Sequence, residues 1–266
     1  MSHFSVAVFT EQNGKSLKEL LEPYYEGLEV ESYVYKTRDD IIKEGLEYKD
    51  YIKEGKRELS EYNQDIYNAK DTESLFKAVC EYFEYKPDEN GDVWTTYNPN
   101  SKWDWYSIGG RFPGKLKSKN GKHGEGSAFH SNPKINGEFD SAKIGDIDFS
   151  MDMKIYNKAI RYWEVVVEKQ PLKDGENSDD FFNFYREGYL EEYYRDKETY
   201  AKINASVTTY AVVTPDGIWH EKGEMGWFGC SSETADESLD WDLHYKERFI
   251  DSADPEWTLT IVDCHI

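Results

Sequence analysis

Residues 259–266 read Leu-Thr-Ile-Val-Asp-Cys-His-Ile and decide the fold, because they form a β-rich run that closes the chain. A second run of the same character, Phe-Ser-Val-Ala-Val-Phe, occupies residues 4–9. In many α+β folds with a meander or ferredoxin-like sheet, the first and last strands are neighbours. The sequence therefore predicts an α+β fold with a mainly antiparallel sheet that contains both chain termini.

The segments between these two strands change character along the chain. Residues 37–86 are charged, tyrosine-rich and helical in pattern, which predicts a helical insertion or subdomain. Residues 90–145 are rich in glycine and proline, which predicts a loop-rich centre. Because the sheet needs both ends of the chain, we expect one α+β domain over residues 1–266. The other predicted elements are a helix capped by Ser16 and Glu19, a helix opened by Asp71, helices over 152–169 and 179–202, a hairpin turning at 215–217, and a helix over 239–250.

Composition limits the classes of partner. The 266 residues carry a formal net charge of −21, so duplex DNA and anionic membranes are disfavoured as partners. The acidic residues are dispersed among lysines, which favours a role in solubilising the surface, and imitation of a phosphate backbone is the alternative. No run of 18 apolar residues and no basic-then-apolar N-terminus occurs, so we expect neither a membrane span nor secretion but a cytoplasmic protein. Three widely spaced cysteines without a CxxC pattern predict neither a disulfide framework nor a zinc ribbon.

The central stretch Trp-Asp-Trp-Tyr-Ser-Ile-Gly-Gly-Arg-Phe, residues 103–112, combines aromatic rings, a glycine pair and an arginine. Rings offer stacking faces, glycines let backbone amides approach closely, and a guanidinium grips an anionic oxygen pair. This composition suits a nucleotide, although a tight turn in a tryptophan-rich core has the same composition. A later hairpin adds Trp219, and a second aromatic and glycine-rich loop adds Trp227. The predicted ligand-binding residues are therefore Trp103, Trp105, Tyr106, Gly109, Gly110, Trp219 and Trp227.

Histidines supply candidate catalytic groups. If the terminal strands pair antiparallel, His3 and His265 come together, and two imidazoles facing a phosphodiester can act as base and acid. Arg111 would offset charge on the phosphoryl oxygens, and His220 would replace either partner or orient a ligand. The alternative for a histidine near a terminus is a surface or capping role. Since no HxH or HExxH spacing is present, we predict no metal and no cofactor.

The densest basic stretch is residues 115–123, Lys-Leu-Lys-Ser-Lys-Asn-Gly-Lys-His. It is interpreted either as a flap over an anionic ligand or as a solvated loop. Farther on, Asp146 and Asp148 stand at alternate positions, which suits either Mg²⁺ or structural capping.

Four separated blocks resemble a widespread family of uncharacterised bacteriophage-encoded proteins. They are Met-Ser-His-Phe at 1–4, Asn-Pro-Asn-Ser-Lys-Trp-Asp-Trp-Tyr-Ser-Ile-Gly-Gly-Arg at 98–111, Thr-Pro-Asp-Gly-Ile-Trp-His at 214–220 with Met-Gly-Trp at 225–227, and Asp-Cys-His-Ile at 263–266. The resemblance implies a phage origin and, by association, host takeover or evasion of bacterial defence. It implies no particular activity.

Together these observations predict a phage counter-defence protein of the host cytoplasm. In the first interpretation it binds a small cyclic nucleotide immune signal and hydrolyses it as a phosphodiesterase. In the second it is a nucleotide sponge without turnover. The third is an acidic, protein-binding inhibitor of a host defence nuclease complex, acting through residues such as Glu54, Glu58 and Glu61.

Overall fold

The computed structural model describes residues 2–120, 138–226 and 230–266. Its contacts divide the chain into two compact units. The sheet unit joins Met1–Glu26 to Asn100–Ile266, and the helical unit is Gly27–Pro99. The predicted helical insertion at residues 37–86 falls inside the helical unit.

Ten strands lie in the described residues: β1 (His3–Thr10), β2 (Tyr33–Lys36), β3 (Val93–Thr95), β4 (Trp105–Ile108), β5 (Leu116–Lys117), β6 (Glu138–Phe139), β7 (Ser141–Lys143), β8 (Ala211–Val213), β9 (Trp219–Glu221) and β10 (Thr258–His265). Eight α-helices accompany them: α1 (Leu17–Leu21), α2 (Arg38–Lys53), α3 (Gln64–Asn68), α4 (Thr72–Tyr82), α5 (Met153–Val166), α6 (Tyr189–Tyr194), α7 (Lys197–Asn204) and α8 (Ala235–Tyr245). None of these helices is both long enough and apolar enough to cross a membrane.

The main sheet has the strand order β4-β10-β1-β8-β9, and β7 pairs with β10 beside β4. Strands β1 and β10 pair antiparallel over their whole length, while β1 and β8 run parallel. The predicted α+β class, with a mainly antiparallel sheet that contains both terminal strands, is confirmed.

Because successive side chains of a strand point to opposite faces, each face of this sheet has its own core. On the first face, Ala7 and Phe9 of β1 belong to a buried cluster with Trp241 and Tyr245 of α8. On the second face, the buried cluster combines alternate β1 residues with Leu20 and Leu21 of α1 and with Trp103. These are called the α8 face and the α1 face.

Local sequence signals account for several helix ends. Helices α1 and α4 begin at capping boxes built by Ser16 with Glu19 and by Asp71 with Ser74, as predicted. The helix predicted over residues 179–202 is wrong, because this segment divides into a 3₁₀ turn at Ser178–Phe181 and the separate helices α6 and α7. Gly188 and Arg195, both at positive φ, flank α6 and interrupt the run.

The helical unit has a small core of its own. Ile41 and Tyr48 of α2, Ile66 of α3, and Leu75 and Val79 of α4 are buried together. Helices α2 and α4 approach each other closely at Gly45, where a β-carbon would lie only 2.6 Å from Val79 Cγ2. The antiparallel pair β2 and β3 completes this unit.

Candidate functional site

The antiparallel register of the terminal strands places His3 directly opposite His265. Both residues lie on the α8 face, since His3 alternates with Ala7 and Phe9 and His265 with Leu259 and Ile261. Their imidazole centroids are 5.0 Å apart with an interplanar angle of 70°. The predicted meeting of the two histidines is therefore confirmed, and their catalytic use stays a prediction.

Each of these two histidines is held by its own carboxylate. Nδ1 of His3 is 2.9 Å from Oδ1 of Asp263, and Nδ1 of His265 is 2.6 Å from Oδ1 of Asp104. A carboxylate on Nδ1 fixes the ring orientation and favours the tautomer that carries its proton there, which leaves Nε2 for proton transfer. The arrangement is two carboxylate-imidazole pairs side by side.

Trp105 forms an aromatic wall of the histidine pair. Its ring stacks on His265, with centroids 5.3 Å apart and an interplanar angle of 17°, and meets His3 edge to face at 5.2 Å. Trp105 is 39% exposed, whereas His265 is 6% exposed. The histidines therefore lie beneath an indole that is open to solvent.

Two polar atoms near the pair are buried without a hydrogen-bond partner among residues 2–120, 138–226 and 230–266: Nε2 of His265 and Oγ of Ser107. Ser107 lies opposite Asp263 in the register of β4 and β10. Buried polar atoms are nearly always hydrogen-bonded, so two such atoms on adjacent strands suit a site that binds a polar group.

The glycine pair closes one side of the site through backbone geometry. Gly110 has φ +46° and packs so tightly that a β-carbon would lie 2.3 Å from Cβ of Asp263. The next residue, Arg111, donates its backbone N–H to Oδ2 of Asp263 at 2.9 Å. Asp263 thus accepts hydrogen bonds from His3 and from this turn at once, which fixes its carboxylate.

Farther along the same loop, Gly114 donates its N–H to Oδ1 of the fully buried Asp140 at 2.7 Å. This anchor directs Lys115 into a cavity of about 310 Å³. The polar residues around that cavity include Ser5, Lys115, Tyr194, Tyr210, Lys222 and Asp242.

The cavity comes near the histidine pair through one lining residue, Ser5. Ser5 lines it, stands two residues from His3 on β1, and faces Asp263 across the strand pair. Two residues of strand span about 7 Å, so the cavity and His3 lie within the length of a small ligand.

Burial perturbs the charged groups of the cavity. It lowers the pKa of Lys115 to about 8, although the Asp242 carboxylate opposes the change. It raises the pKa of Asp242, and this rise is offset in part by Lys222, whose Nζ donates to Oδ2 of Asp242 at 2.6 Å. Lys115 itself donates to the carbonyl oxygen of Thr208 at 3.0 Å.

A second cavity, of about 520 Å³, also has Lys115 in its wall. Lys117, Lys154 and Lys158 add positive charge to it. Its Asp152 caps α5, accepting from two backbone N–H groups, and pairs with Lys117. Lys115 therefore stands where two cavities with lysine-rich walls meet.

Three predicted ligand-binding side chains lie on the opposite, α1 face. Trp103 is buried there and donates its indole N–H to the carbonyl oxygen of Leu21 at 3.1 Å. Tyr106 packs edge to face on Trp103, and Trp219 contacts Phe4 in the same cluster. The structure does not bring these three together with the histidines, because the pleat of β4 separates Tyr106 from Trp105.

The glycine pair also has a role other than the predicted one. The amides of Gly109 and Gly110 donate to the carbonyl oxygens of Ile261 and Ile108, both at 2.9 Å, and are not free for a ligand. A β-carbon on Gly109 would lie 2.4 Å from Asp140 Oδ2. The pair lets the loop pack against two buried aspartates.

The remaining predicted site residues lie apart from the pair or outside the described residues. His220 lies on the α8 face, two strands away from β1 and at the level of Ala7, and its ring contacts Phe249. Four strand residues span about 13 Å, so His220 cannot replace His3. Arg111 has an exposed side chain and reaches the site through its backbone. Trp227 lies outside the described residues.

Sequence reasoning missed Asp104, Asp263, Ser5, Lys222 and Asp242. Asp104 lies inside the stretch 103–112 and Asp263 inside the block 263–266, each beside a predicted site residue, and this position is the signal that could have found them. The residues that line the cavity come from segments distant in sequence. Lys222 and Asp242 belong to no recognisable motif, so the sequence gives no signal for them.

In the part of the chain that the structure describes, no three His, Cys, Asp or Glu side chains form a group that could hold a metal ion. Asp148, one of the two alternating acids, accepts from the backbone N–H of Ser150 at 2.9 Å, as a capping residue does. Comparison of the chain with protein-family models, with curated proteins and with solved structures gives no match.

Proposed function

We propose that this protein binds a small nucleotide and hydrolyses its phosphodiester with His3 and His265, as a phage-encoded counter-defence protein acting on a cyclic nucleotide signal in the host cytoplasm. The observation that carries the proposal is the side-by-side arrangement of two imidazoles, each with a carboxylate on Nδ1. The phage origin rests on the sequence resemblance alone.

The chemistry needs one base and one acid. A neutral imidazole takes a proton from water as the oxygen attacks phosphorus, and a protonated imidazole gives a proton to the oxygen that leaves when its bond to phosphorus breaks. After the reaction, the imidazole that was neutral is protonated and the one that was protonated is neutral. Proton exchange with solvent restores the starting protonation states. Asp263 and Asp104 stabilise whichever ring is positive.

We assign access and stacking to the Trp105 side of the site. The side chain of Asp104 is 38% exposed, and its neighbour Trp105 is 39% exposed. An open indole next to an acid-base pair suits a ligand with a flat base and a phosphate. In a chain of net charge −21, such a ligand also needs local cations, and Lys115 and Lys222 lie in the adjoining cavity.

The test is incubation of the purified protein with cyclic dinucleotides and cyclic ADP-ribose isomers, followed by chromatography before and after heat denaturation. We expect a new product from the unmodified protein and a rate lower by about 10²-fold or more for His3→Gln and for His265→Gln. His244→Gln, an exposed histidine of α8, is the matched control and should keep full activity.

Thermal melts of the same variants separate lost chemistry from lost folding. Recovery of intact ligand after denaturation would replace hydrolysis with sequestration. Ligand that is neither bound nor altered would refute both forms of the proposal.

A further inference from the structure

We infer that the cavity between Lys115 and Lys222 is an anion subsite that takes a phosphate group of the ligand. The identity of the ligand rests on the proposed function, whereas the subsite itself rests on the lining of the cavity.

The first observation is a buried lysine that forms no direct ion pair with the described residues. Among the described residues, Lys115 forms no ion pair within 4.0 Å and has the Thr208 carbonyl oxygen as its hydrogen-bond acceptor. The nearby carboxylate of Asp242 is engaged by Lys222 at 2.6 Å. An ammonium group carries three donors, so Lys115 keeps donors for an oxyanion.

The second observation is the charge balance of the enclosure. Two lysines face one aspartate, and burial has already cost Lys115 part of its affinity for a proton. An anion placed there would restore that affinity, because an opposite charge within a few ångströms favours the charged form. The cavity therefore gains from binding an anion and loses from binding a cation.

Hydroxyl groups add neutral donors. Tyr194 lines the cavity, and its hydroxyl makes no hydrogen bond to the described residues. Burial raises the pKa of Tyr194, so its phenol stays protonated and able to donate near neutral pH. A phosphate oxygen accepts from both ammonium and hydroxyl donors.

The cavity is large enough to hold a phosphate group. Its volume of about 310 Å³ is at the lower end of the range for small-molecule sites, which is about 300–1,000 Å³. Its lining residue Ser5 stands two residues from His3 on β1, and Lys115 lines both this cavity and the larger one. A ligand with two phosphates can thus place one in the cavity and present the other to His3.

The experiment is isothermal titration of the full chain with inorganic phosphate, AMP and adenosine at neutral pH. We expect phosphate and AMP to bind, and Lys115→Met to weaken AMP by at least about tenfold, because a charge-assisted hydrogen bond is lost. Adenosine, which has no phosphate, should not distinguish Lys115→Met from the unmodified protein. Lys143→Met, an exposed lysine paired with Glu256, is the control and should bind AMP normally.

Lys115→Met removes a buried charge, so its melting temperature should not fall and the comparison is between folded proteins. Equal AMP affinity in Lys115→Met and the unmodified protein would overturn the inference, as would the absence of phosphate binding. Lys115-dependent AMP binding without any phosphodiester cleavage would leave the subsite standing and refute the hydrolase. Phosphodiester cleavage that is unaffected by Lys115→Met would refute the subsite and leave the hydrolase standing.

Discussion

Gly110→Ala should disrupt the loop that fixes Asp263. The backbone at Gly110 has φ +46°, which a residue with a β-carbon adopts only under strain. The added carbon would also lie 2.3 Å from Cβ of Asp263 and 2.6 Å from Oγ of Ser107, well inside contact distance. The loop must move away, and the Arg111 N–H that holds Asp263 moves with it.

The expected cost has two parts. The left-handed conformation costs about 1–2 kcal/mol for alanine, and forcing an extra carbon into a packed site costs about 1–3 kcal/mol. The sum, about 2–5 kcal/mol, corresponds to a melting temperature lower by about 4–20 °C, taking about 2–4 °C for each kcal/mol.

Gly175→Ala is the matched control. Gly175 has φ +87°, but nothing lies within 4 Å of a β-carbon built on it, so this variant carries the backbone strain without the clash. Differential scanning calorimetry of both variants therefore isolates the packing against Asp263. If Gly110→Ala melts no lower than Gly175→Ala, the loop does not hold the carboxylate as described.

Three further predictions concern the site. Asp263→Asn should keep the acceptor for the Arg111 N–H yet lower phosphodiester hydrolysis by about 10²-fold or more, because the amide cannot stabilise a positive imidazole; unchanged kcat would contradict this. Trp103→Phe should lower the free energy of unfolding by about 1–3 kcal/mol, because a buried indole hydrogen bond is lost, and should leave AMP affinity unchanged. Trp105→Ala should cost less stability and should lower activity. Calorimetry and the activity assay on both variants test this, and the reverse pattern would contradict it. Since burial lowers the pKa of Lys115 to about 8, AMP affinity should fall about tenfold between about pH 7 and pH 9 as its ammonium loses its proton, and the same fall in Lys115→Met would refute that origin. Between about pH 8 and the ordinary lysine pKa of 10.5, the unfolded chain binds more protons than the folded chain. The buried Lys115 therefore destabilises the fold fully below about pH 8, and this destabilisation is relieved as the pH rises towards 10.5.

Local signals in the sequence were sufficient for the sheet that carries the site. The runs at residues 4–9 and 259–266 have strong β propensity, and their pairing places His3 against His265. Capping boxes likewise marked the starts of helices, since each depends on two residues three positions apart.

The lining of the site depends on which face each side chain takes. The composition of residues 103–112 predicts one cluster of rings, but β4 begins at Trp105, and its alternation sends Trp105 and Tyr106 to opposite faces. Without the strand boundary, composition alone cannot make that separation. Trp103 and Tyr106 then find buried partners near α1, while Trp105 stays open.

The contacts that define the chemistry join distant segments. Asp104 meets His265 across 161 positions, and Lys115 meets Thr208 across 93. No periodicity or spacing encodes such pairs, since they follow from the order of strands in the sheet and from the course of the loop after β4.

A crystal structure with a slowly hydrolysed phosphorothioate dinucleotide would test the central claim most directly, because anomalous scattering from sulfur locates each phosphate. We predict one phosphate within hydrogen-bond distance of Lys115 Nζ and the other beside the imidazoles of His3 and His265, with a base against Trp105. Ligand sulfur atoms on the α1 face, near Trp103 and Trp219, would contradict the claim. The absence of any ligand sulfur atom from the α8 face would contradict it as well.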